Sequence, residues 1–387
     1  MRIREFEMLE LFLLFVQLPC VLILLSRLAG GRDRLPPLEP LWETMAEPPA
    51  VSIVIPTLNE VERLPHCLVG LKGQSAREIL VVDSNSQDGT RELVQELEPN
   101  FPIPLKLLTD PPLPPDWVGR PWALHNGYLQ ADPRSTWILG IDADTLPQAG
   151  LVTTLVHTAE KQNYDVVSLS PRFILKYPGE QWFQPALLIT LIYRFGATGD
   201  ATKFRDGDRV MANGQCLLIR RSWLDKIDGY SCAKGSFCDD VTLVRRLAQQ
   251  GARVAFLDGR NLIWVRMYTS FRETWQEWGR SIDLKDASTP AQIWGDCLFL
   301  LAVQGLPLPL TLWLLLVPNG NLWRSCLLGL NIFLLLLRGL LQIGIRSSYT
   351  EVGIWFWLSP LADPLGALRI FLSACTRPRR WRGREYN

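Results

Sequence analysis

Four apolar stretches and one mixed, alternating middle divide the chain. Residues 8–26 form a near-continuous apolar run with a single charge, Glu10, and 293–317 and 323–341 are apolar almost throughout. Each is long enough to cross a bilayer, for which roughly 20 residues are needed. A cleaved secretory leader competes for 8–26. Glu5, Glu7 and Glu10 beside Arg2 and Arg4, and the lack of a clear small-residue cleavage site, favour a retained anchor. The fourth stretch, 355–374, is interrupted by Ser359-Pro360 and Asp363-Pro364. A spanning helix would have to satisfy the freed backbone groups and a carboxylate there, so this stretch is expected to be re-entrant or interfacial.

Between these ends, short β-rich runs alternate with helical patterns. Strands are predicted over 51–56, 78–83, 137–142, 165–169, 215–220 and 253–257, and helices over 60–71, 90–97, 122–130, 151–161 and 240–250. Such alternation predicts an α/β domain with a largely parallel sheet, and ligands then bind outside the carboxyl ends of the strands. Residues 182–195 are apolar but short, and suit either an interfacial helix or a buried core helix. The expected division is an anchor over 1–30, a Pro-rich linker over 31–49, a catalytic domain over 50–285, membrane or re-entrant helices over 290–376, and a basic tail over 377–387.

Composition narrows this picture. The net charge of +1 over 387 residues gives no bulk drive towards nucleic acid. Fifteen Trp suit membrane–water interfaces. The eight Cys form no CxxC pair and the three His are scattered, so neither suggests a metal site or a disulfide framework.

The candidate chemistry lies at the predicted strand ends. After the first strand comes Pro56-Thr57-Leu58-Asn59-Glu60. After the second comes Asp83-Ser84-Asn85-Ser86-Gln87-Asp88-Gly89-Thr90. Helix capping by Asp88 or Thr90, with Gly89 in the turn, accounts for the end of that loop. It leaves Asp83 unexplained, because a carboxylate ending a buried strand is costly without a partner. The third cluster is Asp142-Ala143-Asp144-Thr145. Two carboxylates on alternate residues of an extended segment face one way and can hold a hard divalent cation. The fourth, Asp239-Asp240, opens a helix, where acids suit the helix dipole or one of them serves as a general base.

Together these segments resemble membrane-associated family 2 glycosyltransferases with the GT-A fold, an α/β, Rossmann-like domain that binds nucleotide sugars. The resemblance runs over about 51–280. The segment 117–124 is similar to one that precedes DxD in these enzymes, where Lys is more usual than Arg120. Asn213-Gly214-Gln215 looks like their acceptor-side stretch. The DSNS loop and the apolar ends are similar to bacterial carotenoid glycosyltransferases, with hopanoid and ceramide enzymes further off.

The resemblance implies an inverting transfer of a hexosyl or deoxyhexosyl group from a nucleotide-sugar donor to a hydroxyl or carboxyl of a lipid-like acceptor. A polyprenyl-phosphate, hopanoid, sphingolipid or polysaccharide acceptor is the alternative. It further implies that Thr57, Glu60, Asp83, Arg120 and Asp142 hold the nucleotide sugar, and that Asp144, with Asp142, binds Mg²⁺ or Mn²⁺. Asp240 would be the base, with Asn213, Gly214, Asp239, Trp278 and Arg280 on the acceptor side. The QxxRW motif of processive synthases is not matched by Trp275-Gln276-Glu277-Trp278-Gly279-Arg280, which argues for a single-sugar product. Nucleotide sugars are cytoplasmic, and Arg27, Arg32 and Arg34 follow the first span, so the catalytic domain is expected inside.

Overall fold

The structure is a computed structural model that describes residues 2–41, 49–199, 207, 209–278, 282, 284–317, 321–376, 380–381 and 384–385. It divides into two compact units. One comprises Asp33–Ile174, Thr198–Met267 and Pro378–Asn387, and the other Met1–Arg32, Leu175–Ala197 and Tyr268–Arg377.

The first unit is built on a seven-stranded sheet of order β3-β2-β1-β4-β8-β6-β9. These strands are β1 (Val51–Thr57), β2 (Glu78–Asp83), β3 (Leu105–Thr109), β4 (Trp137–Ile141), β6 (Val166–Ser170), β8 (Cys216–Arg220) and β9 (Val254–Asp258). All pairs are parallel except those of β8, which runs antiparallel between β4 and β6. A second sheet joins β5 (Thr145–Pro147), β7 (Arg172–Phe173) and β10 (Ile263–Val265). The pattern of alternating strands and helices thus predicted the sheet correctly. Leu105–Thr109 and the small sheet went unread, because β3 carries only one fully buried side chain and the small strands have two or three residues each.

Alternation of side chains along the strands makes two cores. Val51, Ile53 and Ile55 pack on one face with Leu64 and Leu68 of α2 (Leu64–Leu71) and Leu151 and Leu155 of α5 (Leu151–Gln162). Val54, Leu80 and Val82 face the other way, onto α4 (Gly119–Gln130) and α8 (Asp239–Gln249). The central strands are buried on both faces, which is why they read as continuous Val/Ile/Leu runs. The strand order reverses between β1 and β4, and a doubly wound sheet opens its ligand crevice at such a point.

The second unit is helical. It contains α1 (Arg2–Ala29), α6 (Pro178–Phe195) and the helices Pro290–Leu300, Pro307–Leu316, Leu322–Ile345 and Asp363–Cys375. The stretch expected as one catalytic segment, 50–285, is therefore divided: Leu175–Ala197, with the largely buried α6, clusters with the apolar helices. Glu7–Arg32 and Leu322–Ser348 are long and apolar enough to cross a membrane. The span expected over 293–317 is a bent pair of helices, which is long and apolar enough to cross only if the two count as one. Pro290–Gly305 and Pro307–Leu316 meet at 46°, after a π-helical turn at Leu301–Gly305. Pro307 has no N–H to continue the ladder, so the helix breaks there. Residues 355–374 are split by a 3₁₀ turn, Ser359–Ala362, and form no helix long enough to cross.

Charges inside these apolar stretches are paired. Glu10 accepts from Arg324 at 2.9 Å, and Gln17 and Asn331 exchange hydrogen bonds at 3.0 Å. Arg338, fully buried, donates to Asp363 at 2.8 Å and to Gln342 at 2.6 Å, and Gln342 donates to Phe356 O at 2.6 Å. Asp363, which interrupts the fourth apolar stretch, is thus the anchor of its helix against Leu322–Ile345. Removing one partner of a buried pair strands the other charge, at a cost of about 3–5 kcal/mol. Arg338→Leu should accordingly lower the unfolding midpoint in detergent sharply, and Arg338→Met combined with Asp363→Leu should restore most of it. A double variant as unstable as Arg338→Leu would mean that the pair is not what holds this helix.

Candidate functional site

The ends of β1 and β2 are interlocked by their loops. The Asn59 N–H donates to Ser86 Oγ at 2.8 Å, and the Gln87 N–H donates to Asn59 Oδ1 at 2.8 Å. The Glu60 N–H donates to Thr90 Oγ1 at 2.9 Å. Asp88 accepts from the Thr90 N–H at 3.1 Å and from the Val61 N–H at 3.0 Å. It thus caps α3 (Thr90–Leu97) while also holding the first loop. Gly89, at φ +97°, makes the turn that lets both happen.

Asp83 is fully buried. Its carboxylate accepts from the Ser86 N–H at 3.1 Å and from Arg91 at 3.3 Å, and lies 3.5 Å from Thr57 Oγ1. Ser84 lines the cleft and donates to Asp110 at 2.6 Å. Sequence reasoning missed Arg91 and Asp110. The first carried a signal: a cation in the opening turn of a helix opposes the dipole and calls for a partner. Asp110 follows the unread strand β3.

The cleft is walled by Thr57, Glu60, Ser84, Arg120, Asp142 and Asp144. Asp142 leaves the end of β4, and its carbonyl accepts from Thr145 Oγ1 at 2.8 Å, which bends the chain so that both acids reach the wall. Arg120, on the first turn of α4, donates through Nε to Asp142 at 2.9 Å and through Nη2 to Gly214 O at 2.7 Å. Its Nη1 donates to Asp239. The Gly214 N–H donates to Asp240 at 2.6 Å. Asn213 holds the other side of this turn, donating to Gln215 Oε1 at 3.0 Å and exchanging backbone bonds with Ser168 Oγ.

Burial pushes the Asp239 carboxyl up to about 7, with Asp240 and Asp142 adding to the rise and the Arg120 guanidinium opposing it. The same carboxylates hold Arg120 above the ordinary guanidinium range, against its own burial. Among the described residues, no group of three or more His, Cys, Asp or Glu could hold a metal ion unaided. Asp142 and Asp144 nonetheless fit Mg²⁺ or Mn²⁺. These hard ions take one or two protein carboxylates and fill the remaining positions with phosphate oxygens and water.

Thr57, Glu60, Asp83, Arg120, Asp142, Asp144, Asn213, Gly214, Asp239 and Asp240, spread over some 180 residues of sequence, all belong to the sheet unit. Trp278 belongs to the helical unit, and Arg280 lies outside the described residues.

A profile of glycosyl transferase family 2 matches residues 52–228, which carry the first three clusters and the Asn213-Gly214 turn. Residues 52–228 form a family 2 glycosyltransferase domain. The 4,4'-diaponeurosporenoate glycosyltransferase of Staphylococcus haemolyticus is 23% identical over 250 residues, 63% of this chain and 64% of that one. A probable glycosyltransferase of Bacillus subtilis, YdaM, is 25% identical over 254 residues, 62% of this chain and 56% of that one. Both alignments therefore span less than two thirds of the relative. A mannosyltransferase from Pyrobaculum calidifontis, solved with GDP-Man and Mn2+, aligns over 95% of this chain and 97% of its own at 16% identity, with a TM-score of 0.51. The fold of the family 2 domain is of the GT-A type.

The raised Asp239 carboxyl sets a pH dependence. The folded state holds this proton to about 7, while the unfolded chain releases it near the ordinary carboxylate value. Stability is therefore lost as pH rises between those two values and is level above about 7. Asp239→Asn should flatten that decline, read as the unfolding midpoint against pH. A variant that keeps the wild-type slope would show that Asp239 is ionised throughout.

Proposed function

We propose that the protein is an inverting glycosyltransferase that moves a sugar from a nucleotide-sugar donor to a lipid-like acceptor, a carotenoid in the first instance, at the cytoplasmic face of a membrane. One observation carries this reading. Within a family 2 domain, the cleft at the sheet's reversal point puts the Asp142/Asp144 pair on its wall, with Asp240 one glycine removed from Arg120. Support for the lipid side comes from the two helices long and apolar enough to cross a membrane and from the name of the staphylococcal relative. The same comparisons supply the donor class, since one structural neighbour was solved with GDP-Man and Mn2+.

Thr57, Glu60 and Ser84 would line the nucleotide. Asp142 and Asp144 would hold Mg²⁺ or Mn²⁺, which supplies charge stabilisation for the departing nucleoside diphosphate. The two acids at the start of α8 differ in access. Asp239 is buried and committed to Arg120. Asp240 is half-buried, with its oxygens turned to the Gly214 and Val241 N–H groups. Those two donors hold Asp240 as an oriented carboxylate, ready to take the proton of an acceptor hydroxyl. The hydroxyl oxygen then attacks the anomeric carbon from the face opposite the leaving group, and a single displacement inverts the configuration. A carboxyl acceptor would arrive already ionised and would not need this base.

Asp240→Asn should lower turnover on a hydroxyl acceptor by about 10²–10⁴-fold with little change in donor affinity, because proton removal belongs to the transition state. Asp239→Asn should do less. Reversed effects would transfer the base to Asp239, and no effect of either would point to an ionised acceptor. Asp144→Asn should abolish most transfer while keeping the fold, and excess chelator should do the same to the wild type. Full activity in chelator would remove the divalent ion from the reaction. The acceptor itself is tested by mass spectrometry of lipid extracts from cells with and without the gene. A single-sugar lipid lost with the gene supports the reading, whereas unchanged lipids or long glycans from the purified protein overturn it.

A further inference from the structure

Arg120 makes contacts that donor binding alone does not call for. Its three nitrogens are spent on three elements: Asp142 after β4, Asp239 at the start of α8, and the carbonyl of Gly214 ahead of β8. Gly214 is held from its other end as well, since its N–H donates to Asp240 at 2.6 Å. A short chain therefore runs from Asp142 through Arg120 and Gly214 to Asp240. Glycine is required at the middle of it: a Cβ on Gly214 would lie 2.5 Å from Arg120 Nη2 and 2.9 Å from Cζ. The Arg120 side chain is only 14% exposed, so a displaced guanidinium has little solvent-side room to move into.

We propose that Arg120 is a positioning residue that couples the donor-side carboxylate Asp142 to the orientation of Asp240, acting through Gly214. The guanidinium fork can bind carboxylate and carbonyl partners in one plane, whereas a lysine ammonium keeps the charge without the fork. With Arg120 in place, Gly214 is pinned and its N–H aims at Asp240. Without it, Gly214 would lose its hold on the carbonyl side, and Asp240 would keep, among the described residues, its local contacts with the Val241 N–H at 2.8 Å and the Cys238 thiol at 3.5 Å. The role rests on the glycosyltransferase reading above only for its effect on turnover; the physical coupling stands apart from it.

The test uses the purified full chain in detergent and two readouts. In steady-state transfer, Arg120→Lys should lower kcat by about 10²-fold, the scale of a misplaced reacting group. It should leave the donor KM within about threefold, since the charge remains. Gly214→Ala should reproduce that pattern from the other side of the contact. In thermal unfolding, Gly214→Ala should lower the midpoint of the wild type and add nothing in an Arg120→Met background, because the clash it creates is with the guanidinium. A raised donor KM with unchanged kcat would make Arg120 a donor ligand and overturn the proposal. So would Gly214→Ala lowering the midpoint equally in both backgrounds. If the wild type transfers no sugar while the unfolding cycle remains coupled, the function assigned above fails and the Arg120–Gly214 linkage is upheld.

Discussion

The sheet unit's cleft depends on one buried cation among carboxylates. Arg120 faces Asp142 and Asp239 directly, with Asp240 near enough to raise its proton affinity further. Buried carboxylates without such a partner would be driven to the neutral form. The guanidinium pairs with Asp142 on the cleft wall, while burial raises the Asp239 carboxyl against the pull of the same cation. It also explains the backbone around it. Gly214 lacks a side chain because the guanidinium fills that space, and α4 begins where its first turn can deliver the arginine between β4 and β8.

The helical unit solves a similar problem by different means. An apolar exterior is set by α1 and Leu322–Ile345, whose exposed positions include Phe12, Phe15, Phe333 and Leu336. Inside, polar groups meet in pairs: Glu10 with Arg324, Gln17 with Asn331, and Arg338 with Asp363. In hydrocarbon an unpaired ionisable group is expensive, and such groups turn to the bundle interior and find partners. The breaks in the helices fall near this interior. The π turn carries Gln304, whose amide donates to Ala186 O at 2.9 Å, and the 3₁₀ turn carries Ser359, within 3.5 Å of Arg338. Irregular backbone at these places is tolerated because neighbouring helices satisfy it.

Periodicity and turn chemistry made most of the sheet unit legible. Val51, Ile53 and Ile55, or the run 78–83, announce buried strands by composition alone, and Asp88-Gly89-Thr90 announces a cap. The site was legible as a set of acids at strand ends. What sequence could not supply is which acid is paired with what. Asp83 reads as a cleft residue, yet it is fully buried behind Ser84 and held by Arg91 and the Ser86 N–H. Asp239 and Asp240 are adjacent in sequence, and the roughly 100° between neighbouring helix positions gives one to Arg120 and the other to Gly214. The helical unit was less legible because hydropathy counts apolar residues without seeing where a ladder breaks. Pro307 was visible, but a proline inside an apolar run marks a kink as readily as a crossing. Asp363 looked like an obstacle to burial, when Arg338, 25 residues earlier, makes it buried and paired.

Charge balance connects the two halves of the proposed reaction. Among the described residues, Arg120 is set against Asp142 and Asp239, with Asp240 held through Gly214 and with Asp144 and Glu60 on the cleft wall. A nucleoside diphosphate is itself an anion, and it would enter a cleft with Glu60, Asp142 and Asp144 on its wall. Arg120 cannot correct this by turning to the phosphates without abandoning Asp142, Asp239 and Gly214 together, and with them the support of Asp240. The favourable arrangement would leave Arg120 where it is, and Asp142 and Asp144 would hold a hard divalent cation that brings positive charge to the diphosphate. On this argument the acids around Arg120 and the cation requirement of the proposed transfer are two expressions of one electrostatic constraint. On the proposed reading the arginine would serve the orientation of the acid pair, and the charge of the leaving group would be met by the ion that accompanies it.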